Sequence, residues 1–557
     1  MSKETKDIDI KVEKTTSLTS DDVESLSLSN TISFSKQDKD DAKEIFYHDN
    51  KLSSTLNARI ITMISLVGVI GTGLFLSSGG TLATAGPVGM ILAYVVVGSV
   101  VAASLMSVAE VSCLSPNEAS YVSHAEHFVD KSFGFVIGIC DIYANIIPNE
   151  LAAVSVLMTY WTDINPAVFI TIFGLTIVIV NGYNVKWYGE IEFYFGIIKI
   201  LLCVGLILLG LIIDLGGIPG DNDRIGFRYW INPGPFAERY TTGSLGKFLG
   251  FWKAINSAVY AFSGIQNITL LAGEIDFPRR SIYRASKRVF IRVFGLYIVM
   301  IVILSMIVPH NDPLIAESNG TASGSPWVRA ISLAGIKVLP SIVNAVVLTS
   351  ALSSGNLQVV KASRTIYVLA SKRQLPKIFL KVNKHGLPYV AVGFTCAFLP
   401  LAYMAVSASS SNVFSWFSNV ISANTLFSWI VMSVNHIALH RALRAQGFSR
   451  KYLPFTFLGK YGEYCGWYSL FFAILFLLTG GFPNFIHGYW SFSTFFSAYF
   501  IIPLALVLFI FAKLVFKSKY ITPNEVKLKP LFYDVQARPE PPFKKLKGLE
   551  WLTLLWA

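Results

Sequence analysis

Apolar and polar stretches alternate along this chain. The apolar ones share one length, about the twenty residues a helix needs to cross a bilayer. They fall at approximately 60–81, 88–112, 133–160, 167–182, 192–215, 250–273, 290–308, 332–360, 388–407, 412–438, 463–481 and 491–514, which predicts twelve transmembrane helices. Residues 1–55 are rich in Ser, Thr, Asp and Lys without apolar periodicity, the pattern of a disordered tail. Residues 516–557 are polar and proline-containing and predict a second tail. The expected class is an all-α polytopic membrane protein with its helical domain at 56–515.

Two of these runs carry an interruption near their midpoint. The first contains Val67-Gly68-Val69-Ile70-Gly71-Thr72-Gly73, and glycine propagates a helix poorly. In hydrocarbon, backbone that leaves the helix is tolerated only where protein or a cavity satisfies it. Half-helix ends at mid-membrane depth then aim at the charges of a small solute. The competing reading is close helix packing through small residues. The sixth run contains Tyr260-Ala261-Phe262-Ser263-Gly264-Ile265-Gln266, again near its midpoint. Breaks in the first and sixth helices are what a five-plus-five repeat produces, and they favour the binding-site reading.

Composition agrees with a membrane protein. The chain is 53% hydrophobic and 14% charged, with mean hydropathy +0.54, against about a quarter charged in soluble domains. Five cysteines, odd in number and scattered, form neither a disulfide framework nor a metal cluster. The net charge of +12 would suit nucleic acid, but the cations lie in alternate loops, as the positive-inside rule requires. One inner loop carries Arg279, Arg280, Arg284, Lys287, Arg288 and Arg292. The next holds Lys361, Arg364, Lys372, Arg373, Lys377, Lys381 and Lys384, and a third Arg441, Arg444, Arg450, Lys451 and Lys460. The short outer loops near 82–87, 161–166, 408–411 and 482–490 have none. Both tails are therefore expected in the cytosol. The glycosylation sequon Asn319-Gly320-Thr321 falls outside, and no cleavable signal is visible in the polar N-terminus.

Several motifs resemble the amino-acid permeases of the amino acid–polyamine–organocation superfamily, and in particular their fungal branch. Gly68-Val69-Ile70-Gly71-Thr72-Gly73-Leu74 resembles the first-helix signature. Phe227-Arg228-Tyr229-Trp230 with Pro233-Gly234, Ala272-Gly273-Glu274 with Pro278-Arg279-Arg280, and Asn311-Asp312-Pro313 follow in the family's order. So do Ser363-Arg364 with Tyr367, Gly386-Leu387-Pro388-Tyr389 and Arg444-Ala445-Gln446-Gly447. The similarity covers about 55–520 and looks closest to permeases for proline, other neutral or dicarboxylic amino acids. It implies a LeuT-like fold: two inverted five-helix repeats plus two further helices.

On that basis Gly71, Thr72 and Gly73 offer N–H groups and a hydroxyl to the carboxylate of an amino acid. Carbonyls at Val69, Ile70, Tyr260, Ala261 and Phe262 accept from its ammonium, beside Ser263 and Gly264, and Phe262 closes over the solute or else packs in the core. Glu150, just after Pro148, is substrate-facing, proton-linked or a structural partner of a neighbouring helix. Lys199 stands where similar sodium-coupled transporters hold their cation; its other reading is a side chain snorkelling to the cytosolic surface. Glu110, Asp141 and Glu274 belong to an inner gate or pair with the basic loops, and His124, His436 and His487 have no ligand-like spacing. Gln266 departs from the glutamate that many relatives carry.

The function these features imply is proton-coupled import of amino acids at the plasma membrane. The alternative is a transporter-like amino-acid sensor. An enzyme is disfavoured, because no nucleophile elbow, zincin motif or Walker loop is present. The expected partners are the free amino acid, the lipid bilayer and a ubiquitin ligase acting on tail lysines (Lys3, Lys6, Lys11, Lys14, Lys36), with no nucleic acid. No cofactor is expected beyond the proton gradient.

Overall fold

A computed structural model describes residues 32–46, 68–116, 120–183, 185–217, 223–265, 267–270, 277–316, 325–384 and 386–541. Within them the chain is helical, without a strand. Among the described residues nine helices are long and apolar enough to cross a membrane, and Phe492–Tyr499 with Ile501–Phe516, bent by 48°, makes a tenth. The first and sixth expected spans are absent from that set; both are broken, and residues 60–67 and 271–276 lie outside the described residues.

Helix ends differ from the apolar runs for a physical reason. Hydropathy marks where a helix enters hydrocarbon, whereas lysine and arginine are good helix formers and carry it on into water. The seventh span begins at Pro278 rather than 290, with proline at the helix start where no donor is needed. The eighth covers Leu339–Ser371, so Lys361 and Arg364 sit on helix rather than in a loop. The tenth covers Ser410–Ala445 and includes Arg441 and Arg444.

The outer loop expected at 82–87 is a kink instead. Ser77–Leu114 is continuous apart from Gly86, at φ 74° and ψ 175°, followed by Pro87. A Cβ at Gly86 would lie 2.6 Å from the Ala237 nitrogen, so only glycine fits. The backbone groups freed there bond to the passing 235–237 segment: Val88 N–H to the Pro235 carbonyl at 2.9 Å and Ala237 N–H to the Ala85 carbonyl at 3.1 Å. This long helix packs along Gly243–Ala261, Pro278–Ile307, Ser410–Ala445 and Gly462–Thr479.

Each tail contributes one described helix. Lys36–Phe46, inside the stretch expected to be disordered, is a helix packed on Leu528–Ala537. Within the polar C-terminal stretch, Leu528, Leu531 and Phe532 recur at helical spacing and are buried against Val111, Leu114, Leu439 and Leu443. Asp534 of the same helix pairs with buried Arg279 at the start of the seventh span.

Candidate functional site

The two breaks meet. Residues 68–71 are turn and bend, followed by the single helical turn Thr72–Phe75. The other helix, Gly243–Ala261, gives way to a turn through 262–265 with Gly264 at φ 91°. A Cβ on Gly73 would stand 2.7 Å from the Ala261 Cα, and one on Gly264 would stand 3.2 Å from the Gly68 carbonyl oxygen. Glycine therefore serves both readings at once: it breaks the helices and lets the broken backbones touch. The Tyr297 hydroxyl spans the gap, 2.8 Å from the Val69 carbonyl and 3.2 Å from that of Ala261. The Ile70 carbonyl faces the Ser350 hydroxyl at 3.5 Å. These carbonyls, expected for the solute's ammonium, already have partners from neighbouring helices.

A buried polar chain runs beside the contact. Asn149 Nδ2 donates to the Tyr260 hydroxyl at 2.6 Å, which lies 2.7 Å from Thr72 Oγ1, which in turn donates to Glu150 Oε2 at 3.0 Å. Glu150 is in the first turn of Asn149–Met158, which restarts after the break at Pro148. The positive end of that helix dipole favours a carboxylate there. The bend expected at Pro148 and the nearness of Glu150 to the first break are both present.

Val69, Gly71, Thr72, Gly73, Tyr260, Ala261, Ser263, Gly264 and Glu150 line one cavity of about 660 Å³. It also touches Asp141, Asn145 and Lys361, towards the basic end of the bundle. Asp141 accepts from the Tyr121 hydroxyl at 2.9 Å and from Thr365 Oγ1 at 3.2 Å. A second cavity, of about 1130 Å³, opens on the other side among Ser411, Asn419 and Thr494. Tyr260 lines both, its ring edge-on to Phe414 with centroids 6.0 Å apart.

Phe262 and Ile70 do not join the cavity. Phe262 is fully buried between Tyr94 and Tyr297, at centroid distances of 5.9 and 5.0 Å. Two residues on from Tyr260 is roughly 200° around a helix, so Tyr260 lines the cavities while Phe262 faces the core. Ile70 is 1% exposed.

Lys199 is buried rather than snorkelling, at 0% exposure, and interacts electrostatically with Glu192 and then Glu150. Glu192 escaped the sequence reading. It is buried one heptad before Lys199, and its Oε2 accepts from Ser353 Oγ at 2.6 Å. The seven-residue spacing of two ionisable groups in one span was the available signal.

Glu110 binds Arg450 through both oxygens, at 3.0 and 2.5 Å, and its Oε1 lies 3.1 Å from His440 Nε2. His436 and His440, four residues apart on one helix, approach to 3.2 Å, so His436 belongs to a polar cluster that its isolated reading missed. With Glu110 they place three ligand-type atoms within 4.8 Å of one another. The Arg450 guanidinium on both carboxylate oxygens closes the group as an ion-pair cluster. Glu274, Gln266 and Asn319 lie outside the described residues.

A profile of the amino acid permease family matches residues 61–522. The dicarboxylic amino acid permease of Saccharomyces cerevisiae is 37% identical over 491 residues, covering 86% of this chain and 80% of that protein. The proline-specific permease of the same yeast is 37% identical over 478 residues, 84% of this chain and 76% of that one. Among solved structures, a manganese transporter of Eremococcus coleocola superposes with a TM-score of 0.53 at 12% identity, covering 83% of this chain and 94% of the other. That likeness bears on the fold alone, and agrees with a LeuT-like arrangement of helices.

Proposed function

This chain belongs to the amino acid permease family, and from that premise we propose that it imports amino acids across the plasma membrane, driven by protons and by alternating access. The distribution of lysine and arginine supports a cytosolic position for both termini. The carrying observation is the meeting of two broken helices beside the Thr72–Tyr260–Glu150 chain, between two cavities that share one tyrosine wall. An amino acid zwitterion is costly to strip of water. Donors at Gly71–Gly73 and acceptors around Glu150 and Tyr260 supply both halves of what it loses.

The buried trio Glu150, Glu192 and Lys199 supports proton coupling. With all three ionised it carries a net charge of −1, and one proton neutralises it without another ion. The curated relatives carry dicarboxylic amino acids and proline by name, so both classes are candidate substrates.

The test is uptake of labelled amino acids into cells lacking their own permeases. Accumulation that rises with external acidity and collapses with an uncoupler is expected. Binding without accumulation would refute import and favour the sensor.

A further inference from the structure

We propose that the outer cavity is an anion-selecting vestibule in which Lys253 favours amino acids with a second carboxylate. The inference rests on the transport reading and adds the substrate's charge class.

Among the described residues, Lys253 brings the one charge to the wall of this cavity, which is otherwise hydroxyl, amide, aromatic and apolar. It is partly exposed there, and no carboxylate stands beside it among the described residues. Two of the amides nearby are committed: Asn256 Nδ2 donates to Asn419 Oδ1 at 2.9 Å, and Asn419 Nδ2 to Ser497 Oγ at 3.4 Å. Lys253 is thus the charged group that a solute meets among neutral ones.

Its place in the helix matters. Lys253 precedes Tyr260 by seven residues, two turns on the same face, so it stands about 10 Å outward of the tyrosine that floors the cavity. A solute on its way to Tyr260 passes it. In a neutral amino acid the ammonium and α-carboxylate fields largely cancel at that range, so the lysine gains little. An amino acid with a side-chain carboxylate carries a net negative charge and feels the full attraction. Low-dielectric walls focus such a field, and clefts of one sign raise local counter-ion concentration and entry rates by about ten-fold or more. The effect belongs to capture, before the solute is stripped of water, and so to KM. Inside Tyr260, among the described residues lining the cavity, Lys361 faces two carboxylates, Asp141 and Glu150, so no net positive charge draws an anion there and its capture falls to the vestibule.

The experiment compares labelled glutamate and proline uptake by the full chain, Lys253→Gln and Lys253→Arg, normalised to surface protein, in permease-deficient cells at low and high ionic strength. The expected result is a glutamate-to-proline selectivity, in kcat/KM, that falls about ten-fold in Lys253→Gln. Lys253→Arg should restore it, and salt should erode it in the wild type. A wild type that carries proline but not glutamate, or a selectivity unmoved in Lys253→Gln, overturns the proposal. A chain that takes up no amino acid overturns the transport reading instead. Glutamate binding to the purified protein then judges the lysine, and equal affinity in wild type and Lys253→Gln overturns its role.

Discussion

A single methyl group at Gly73 tests whether the two broken helices must touch. In Gly73→Ala the new Cβ would lie 2.7 Å from the Ala261 Cα, 3.1 Å from the Ala261 nitrogen and 3.2 Å from Tyr260 Cδ1. Comfortable carbon contacts are about 3.5–4.0 Å, so the backbones must part by roughly 1 Å. Main chain cannot rotate aside as a side chain can. Overpacking of this kind costs about 1–3 kcal/mol, which corresponds to about a 5- to 150-fold loss of apparent affinity. Gly71→Ala is the comparison, since its Cβ meets only the Ser354 hydroxyl, at 3.1 Å, which can turn away. Gly205→Ala is the control, with nothing within 4 Å. The assay is the concentration dependence of amino-acid uptake, normalised to protein at the surface. The expected order of damage is Gly73, then Gly71, then Gly205. Normal uptake by Gly73→Ala, or greater damage from Gly71→Ala, would refute the idea that the helices function in contact.

Three further predictions concern the neighbours of that contact. Tyr297→Phe removes the hydroxyl shared by the Val69 and Ala261 carbonyls. It should cost about 1–3 kcal/mol, seen as a lower melting temperature and weaker uptake; a variant as stable as wild type would show that water replaces the hydroxyl. Lys199→Met should flatten the dependence of uptake on external pH, and an unchanged profile would assign the lysine to packing. Tyr260→Ala should join the two cavities and raise efflux of preloaded amino acid, while Tyr260→Phe, which keeps the ring against Phe414, should leak less. Equal leak from wild type and the alanine variant would remove Tyr260 from the barrier.

What the sequence disclosed, and what it hid, divides along the chain's own axis. Glycine density at 68–73 and the proline at 148 exposed the breaks, because helix disruption is local chemistry. The alternation of basic and uncharged loops is local in the same way, and the proposed orientation rests on it. Partners contributed by distant helices were not visible: Tyr297, Asn149, Ser353 and His440 have ordinary local surroundings and acquire meaning through neighbours up to 330 residues away. Tyr260 and Phe262 were within reach of simple periodicity. Which aromatic faced the cavity depended on the helix remaining regular up to Ala261, and the position of the break decided that. The ordered tail helices were missed because a few apolar residues at helical spacing are diluted by the charges around them.

The energetics of Tyr260 bear on how the proposed alternation avoids an open pore. In the structure its hydroxyl accepts from Asn149 and contacts Thr72, while its ring rests on Phe414. Swinging it aside in an empty site would strand the buried Asn149 amide, at about 1–3 kcal/mol, while Thr72 keeps Glu150. A bound amino acid changes that balance, because its carboxylate can accept from the Asn149 amide in the tyrosine's place. The movement then costs less with solute present than without it, and a ligand shifts such an equilibrium only through this kind of differential contact. A barrier tied to hydrogen bonds that the solute itself can replace would open more readily with cargo than without it.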